Sequence, residues 1–498
     1  MSLEPLGGLD AAFLSFDTTS AQLHLGLVVV VEPPGDAPSA DPTGRFARIR
    51  QTVEQRLPLV PRLRQRAMPI PYGLHLPVWA DDPDFDLSDH LARASLPSPG
   101  GPRQLDDMVA GLMGRPLHPD RPLWEMVVVD GLAGARTAIV VKVRHALLDG
   151  ASGAEILGSF LDLGPDTPPV PEVPAWSPGP LPSRYGLLRH AAEALVRQPQ
   201  QAFAAVTRSA EALVEVTARN RSLIREGRRP PPALFGAPRT SLNGTISPRR
   251  RFASLVVPVA EATVVRRSFD TTQNDVVLTV VAGGLRRLLA ERGDEPRRPL
   301  VAMVPVSARR SRNRAEVGNR LSAMLVSLAT DRDDPSERLL AVAESARLAK
   351  AQDRVVGSDF LEGVARATPP PLLSRLARWS TSLGLFDHVP PPFNVTISSV
   401  RGPRAPLWFA GGQVTALYPI GPVAAGCGLN VTVMSYREGL HIGLLGCRRL
   451  VPDIDRLAGH VAASMRELLA AARARSALQG EPGTPERAPG SPPGPVGG

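Results

Sequence analysis

Thr137-Ala138-Ile139-Val140-Val141-Lys142-Val143-Arg144-His145-Ala146-Leu147-Leu148-Asp149-Gly150 is the stretch that decides the fold. Its first seven residues are apolar or β-branched apart from Lys142, the composition of a half-buried or buried strand. A tight polar turn follows. Then comes Ala154–Leu163, where Ile156, Leu157, Phe160 and Leu161 recur at helical spacing. A side chain at such a strand-to-helix junction can face a cavity without disturbing the core. The imidazole of His145, whose unperturbed pKa is about 6.5, can accept a proton from a hydroxyl near neutral pH. Asp149 can hold the local backbone or pair with a distant arginine, and Gly150 permits a close backbone approach or a positive φ. The pattern His-x-x-x-Asp-Gly fits equally a histidine satisfied by its own turn.

Outward from this stretch, Leu23–Val31 and Leu123–Val129 are strands of the same apolar, β-branched kind, which makes residues 1–163 one αβ subdomain. Residues 164–240 form a connector. Gly164–Pro182 is dense in proline and extended; Arg184–Gly227 is a long helical pattern interrupted at Pro199, with Leu188, Leu195, Phe203, Val206 and Leu213 on one side and arginines on the other. A second αβ subdomain spans 241–477. It holds a strand at Arg251–Val259 and a helix capped by Thr272 and Asp275, with Val277, Val281, Leu285 and Leu288 on one face. Further strands are expected at Leu300–Pro305, Phe393–Ser398, Gly428–Met434 and Leu440–Leu445, then a helix at Ile454–Ala472. Residues 478–498, rich in Gly and Pro, are expected to be disordered.

A chain of 498 residues exceeds one core, and 43% apolar with 21% charged residues fits an ordinary globular protein. The 53 prolines, about twice the usual share, fit long connections. The net charge is +9, and Lys142 and Lys350 are the only lysines among 57 basic residues. That arginine bias is a compositional habit more than a nucleic-acid signal. Aromatics are 4%, and neither zinc-finger spacing nor aromatic-basic interleaving occurs, so no nucleic acid is expected. Cys427 and Cys447 fit reduced core thiols in a cytoplasmic protein. No signal peptide is expected, and apolar runs such as Leu25–Val31 fall short of the roughly 18 residues that a membrane span needs. There is no Gly-x-Ser-x-Gly, Walker loop, His-Glu-x-x-His or Cys-x-x-Cys, so neither metal, nucleoside triphosphate nor flavin is expected.

Arg144–Gly150 resembles the His-His-x-x-x-Asp-Gly motif of the bacterial wax ester synthase/diacylglycerol acyltransferase family, and of the wider chloramphenicol-acetyltransferase-like, condensation-domain superfamily. Other segments resemble the same family in order: Arg121–Trp124, Leu242–Gly244 with Arg249–Arg251, Asn274–Leu278 with Gly283–Arg286, Pro305–Arg309, Gly318–Arg320, and Asn394–Ser398 with Gly402-Pro403. One position departs: Arg144 stands where the family has its first histidine.

The resemblance implies an α/β fold of two chloramphenicol-acetyltransferase-like subdomains, each a mixed sheet flanked by helices, with a channel between them. It implies no bound cofactor, acyl-CoA as co-substrate, and diacylglycerol or a long-chain alcohol as acceptor. His145 becomes the general base and Asp149 a structural residue that Arg309 could pair with. Gly150 then lies by the reaction centre. Asn274, in the first turn of its helix, is a possible oxyanion donor or a capping amide. Arg309 is otherwise one arginine of an exposed cluster. Asn394 and Ser398 are channel candidates or plain ladder positions, and His24 is expected to be a satisfied core histidine. The basic charge suits coenzyme A phosphates or anionic lipid. Peripheral contact with a membrane or lipid droplet is expected through Arg184–Gly227. A lapsed enzyme serving as a lipid-binding or droplet-surface protein is the alternative, on account of Arg144.

Overall fold

The computed structural model describes residues 4–33, 42–147, 152–166, 176–195, 215–307, 321–356, 375, 379–380 and 383–479. Two six-stranded mixed sheets dominate them. The first half of the chain supplies β1 (His24–Val31), β2 (Leu91–Ser95), β3 (Trp124–Asp130) and β4 (Thr137–Arg144). The second half supplies β5 (Arg250–Pro258), β6 (Val301–Ser307), β7 (Leu321–Ser327) and β8 (Val395–Arg401), then β9 (Trp408–Phe409), β10 (Gly412–Ile420), β11 (Leu429–Tyr436) and β12 (Gly439–Cys447). The sheet orders are β9-β10-β1-β4-β3-β2 and β7-β6-β8-β11-β12-β5.

The valine runs of β1 and β4 read as continuous because both faces of their sheet are covered. Val28, Val30, Ala138 and Val140 pack with Leu105 and Val109 of the Pro102–Met113 helix and with Phe252 and Leu445 of the other sheet. Val29, Val31, Ile139 and Val143 pack on the opposite side with Ile49 and Val53 of the Pro42–Arg56 helix. In the second sheet, Ile397, Val431 and Leu444 share a core with the Gln273–Glu291, Pro335–Val356 and Ile454–Gln479 helices. The Gln273–Glu291 helix is buried along most of its length, and its capping box uses Thr272 and Asp275 as expected.

One exchange was not anticipated from the sequence. β10, from the second half, pairs antiparallel with β1 of the first sheet, running from Val414↔Val31 to Ile420↔Gly26. The partner of a strand is set by hydrogen bonding across space, which local periodicity does not report. The halves are thus stitched together rather than merely docked. Gly443 of β12 makes this approach possible, because a Cβ there would collide with the carbonyl oxygen of Pro419 in β10. Asp106 of the Pro102–Met113 helix adds a polar clasp, accepting from the Ser254 hydroxyl at 2.9 Å and its N–H at 3.2 Å.

The connector is only partly described. Its Arg184–Leu195 helix buries Leu187 and Ala191 against Ile70 and Val78, so that face is spent on the protein body. Phe203, Val206 and Leu213 lie outside the described residues, as do residues 480–498. Both cysteines are free and buried. Among the described residues no helix is long and apolar enough to cross a membrane.

Candidate active site

β4 ends at Arg144, and His145 opens the short 3₁₀ turn His145–Leu147. Both neighbouring strands hold this junction. The Arg144 N–H donates to the Leu123 carbonyl at 2.9 Å, and the His145 N–H donates to the Leu23 carbonyl at 3.1 Å. Backbone anchoring on two sides fixes where the imidazole starts, the condition for a positioned base. The His145 ring lies on Phe13 of the Gly8–Phe16 helix, with centroids 4.0 Å apart at 36°. Its Nδ1 is sealed from solvent and has no hydrogen-bond partner among the described residues. Burial pushes its pKa down to about 4, so the ring is neutral near pH 7, the form that accepts a proton.

Arg144 faces elsewhere. It sits directly opposite His24 in the β1–β4 ladder, so both side chains share a face with Lys142 two residues back. The Arg144 guanidinium meets the buried carboxylate of Asp17 at 2.5 Å. Burial pushes the Asp17 carboxyl up to about 6, against the pull of that arginine. His24 is buried as expected, but neither ring nitrogen has a partner among the described residues. Burial, together with Lys142, Arg144 and Arg250, pushes its pKa down to about 3. Lys142 is itself buried, paired with Glu125 at 2.7 Å and donating to the Leu112 carbonyl at 3.1 Å. Cations crowd this face.

The other expected residues fall into three groups. Asp149, Gly150 and Arg309 lie outside the described residues. Asn274 is half-buried in the first turn of its helix and takes no part in the cap, which Thr272 and Asp275 complete between themselves at 2.8 and 3.2 Å. Its amide has no hydrogen-bond partner among the described residues. Asn394, expected on the channel wall, is instead a fully buried strut. Its Oδ1 accepts from the Val301 N–H at 2.8 Å, and its Nδ2 donates to the Pro238 carbonyl at 2.7 Å and to Asn243 Oδ1 at 2.8 Å. An amide so occupied has nothing to offer a substrate. Ser398 stands half-buried on β8 opposite Thr432. Among the described residues no group of three or more His, Cys, Asp or Glu side chains could hold a metal ion.

Sequence reasoning missed Asp17, Phe13 and the orphaned state of His24. Phe13 sits in the Gly8–Phe16 helix and Asp17 just after it, and their contact with the motif is tertiary, so nothing local marks them.

Residues 6–277 match the wax ester synthase/diacylglycerol acyltransferase catalytic domain, and residues 317–469 match the C-terminal domain of the same family. A Mycobacterium tuberculosis protein provisionally named as a diacylglycerol O-acyltransferase is 35% identical over 475 residues, covering 95% of this chain and 98% of its own length. The structure of the wax ester synthase/diacylglycerol acyltransferase from Marinobacter aquaeolei VT8 superposes with a TM-score of 0.66 at 27% identity, over 94% of this chain and 100% of that one. The first condensation domain of the calcium-dependent antibiotic synthetase shares the fold, with a TM-score of 0.52 at 18% identity over 95% of this chain and 96% of that one. With both of its domains matched in order along the same αβ frame, the chain belongs to the wax ester synthase/diacylglycerol acyltransferase family.

Proposed function

We propose that this acyltransferase moves a fatty acyl group from acyl-CoA to the free hydroxyl of diacylglycerol, with His145 as general base. The observation that carries the reading is the neutral, backbone-anchored imidazole at the end of β4, inside the segment matched to the family's catalytic domain. The His145 ring takes the hydroxyl proton as the acceptor oxygen attacks the thioester carbonyl carbon. The carbonyl electron pair moves onto oxygen, and the uncommitted Asn274 amide with a backbone N–H near Gly150 donates to that oxyanion. On collapse the C–S bond breaks, the ester is released, and the imidazolium returns its proton to the coenzyme A thiolate. The acceptor is itself the nucleophile, so no acyl-enzyme forms. Asp149, paired with Arg309, holds the loop after His145 in place.

The names of the sequence relatives favour diacylglycerol as acceptor, while that of the Marinobacter structure carries both activities, and the same chemistry would also esterify a long-chain alcohol. Contact with a lipid surface is part of the reading. Its support is the exposed Tyr72 and Tyr185 near the start of the connector helix, with the Arg184 guanidinium 5.7 Å from the Tyr72 ring centroid. Release of free thiol from palmitoyl-CoA should depend on added diacylglycerol and yield triacylglycerol. Thiol release with hexadecanol alone would reassign the acceptor. No release with either would leave a lipid-binding protein of the same fold.

A further inference from the structure

Where the two halves meet, a cavity of about 320 Å³ opens to solvent between the end of the Pro102–Met113 helix and the start of β5. Arg115, Arg249, Arg250, Arg251 and Arg448 line it, against a single acid, Asp107. Asp107 is already paired with Arg251 at 3.1 Å. Arg115, Arg249, Arg250 and Arg448 form no ion pair among the described residues. Arg250 is 6% exposed and spends its donors on backbone carbonyls, including that of Ser20 at 2.6 Å, so its positive charge is buried with no carboxylate beside it. Arg250 is buried there and Arg115, Arg249 and Arg448 are exposed around it, so together they give the groove a positive face that suits an anion. The helix end contributes carbonyls of the wrong sign for an anion, but Lys142 donates to those of Leu112 and Arg115. Guanidinium forks match phosphate oxygens in a way that a carboxylate-free lipid chain or a neutral sugar would not use.

The cavity lies on the side of β4 that carries Lys142, which donates to the carbonyl of Arg115 on its wall, and Arg144. Arg250 acts electrostatically on His24, which faces Arg144, the residue before His145. We propose that this arginine groove is the seat of the donor's phosphates, binding the nucleotide 3′-phosphate and diphosphate of acyl-CoA while the pantetheine arm runs on toward His145. The assignment rests on the acyl-CoA reading above. An anionic phospholipid headgroup shares the same phosphate chemistry and is the competing source.

Gly111 lines the groove with nothing within 4 Å of where a Cβ would stand, so Gly111→Glu adds a carboxylate there without a clash. Arg249→Glu and Arg448→Glu reverse exposed charges at the rim. The full-length chain is assayed with palmitoyl-CoA and with palmitoyl-N-acetylcysteamine, a thioester lacking the nucleotide. Each variant should lower the ratio of kcat/KM for the two donors about tenfold or more, the scale of a lost charge-assisted contact. Arg404→Glu, an exposed arginine away from the groove, should leave the ratio alone. Binding of adenosine 3′,5′-bisphosphate should weaken by a similar factor in the same variants. An unchanged ratio with unchanged bisphosphate affinity overturns the proposal. So does loss of flotation on phosphatidylglycerol vesicles with bisphosphate binding intact, which would give the groove to a lipid headgroup. If the wild-type chain transfers no acyl group, the functional reading fails by itself, and the bisphosphate measurement still decides the groove.

Discussion

Two polar clusters lie deep in this protein, and they have been treated oppositely by the fold. Around Asn394 every donor and acceptor is used: Val301, Pro238 and Asn243 take up the amide, and Asn243 donates on to the Phe393 and Gly426 carbonyls at 3.0 and 3.1 Å. Around His145 the account does not close. Among the described residues His24 has no partner for either ring nitrogen, His145 none for one, and Arg144 none for its Nε. Buried polar groups are nearly always satisfied, because leaving one unmade costs about 1–3 kcal/mol. Such deficits also occur singly elsewhere, as at His75, His190 and His441, but here several gather at the end of one central strand, as the proposed site would have it. Saturation thus separates these two clusters where residue type does not, since both are made of ordinary amides, imidazoles and guanidinium groups.

The contrast can be broken most sharply at its centre. His145→Ala should lower kcat by about 10²–10⁴, the usual worth of a positioned general base, at unchanged melting temperature. Equal loss of activity and stability would make His145 another strut. At the saturated cluster the opposite is expected. Asn394→Ala strands the Val301 N–H and Asn243, so unfolding should become easier by about 1–3 kcal/mol for each group left unpaired, while kcat per folded molecule holds. Urea denaturation with a parallel assay checks both halves of that statement.

Arg144 lies between these extremes. Arg144→Ala leaves the Asp17 carboxyl buried without its partner, so a loss of about 1–3 kcal/mol in stability and less than a tenfold loss in rate are expected. Asp17→Asn in the same chain should restore most of that stability, and a strictly additive pair would dissolve the ion-pair account. Arg144→His, which restores the family residue, should keep activity.

The smallest effect concerns the seam between the halves. Burial pushes Asp106 up to about 7. Its unfolded counterpart ionises near 3.9, so between those values the folded chain binds more protons and stability falls as pH rises. Asp106→Asn should flatten the dependence of melting temperature on pH between about 4 and 7. A variant that keeps the full dependence would clear Asp106 of that role.

Much of the frame was legible because it is written in local pattern. The β-branched runs at Leu23–Val31, Leu123–Val129 and Thr137–Val143 became β1, β3 and β4 within a residue at each end. Thr272 with Asp275 announced its helix through capping chemistry alone. The position of the proposed base was legible too, since His145 lies on the strand-to-turn junction that the motif names. What stayed hidden depends on distance in sequence. β10 joins a strand almost 400 residues earlier, as its pairing of Ile420 with Gly26 shows. The five groove arginines come from positions 115, 249–251 and 448. Asn394 looked like a wall residue because saturation is a property of its surroundings and not of its type.

The most direct test of direct acyl transfer at His145 is a single turnover with radiolabelled palmitoyl-CoA and diacylglycerol, quenched in acid and separated into protein, fatty acid and neutral lipid. The account predicts one labelled triacylglycerol for each free thiol, in the wild-type chain and not in His145→Ala, with no label on the protein at any time. Label retained on the protein, or released as free palmitate in step with the thiol, would contradict it.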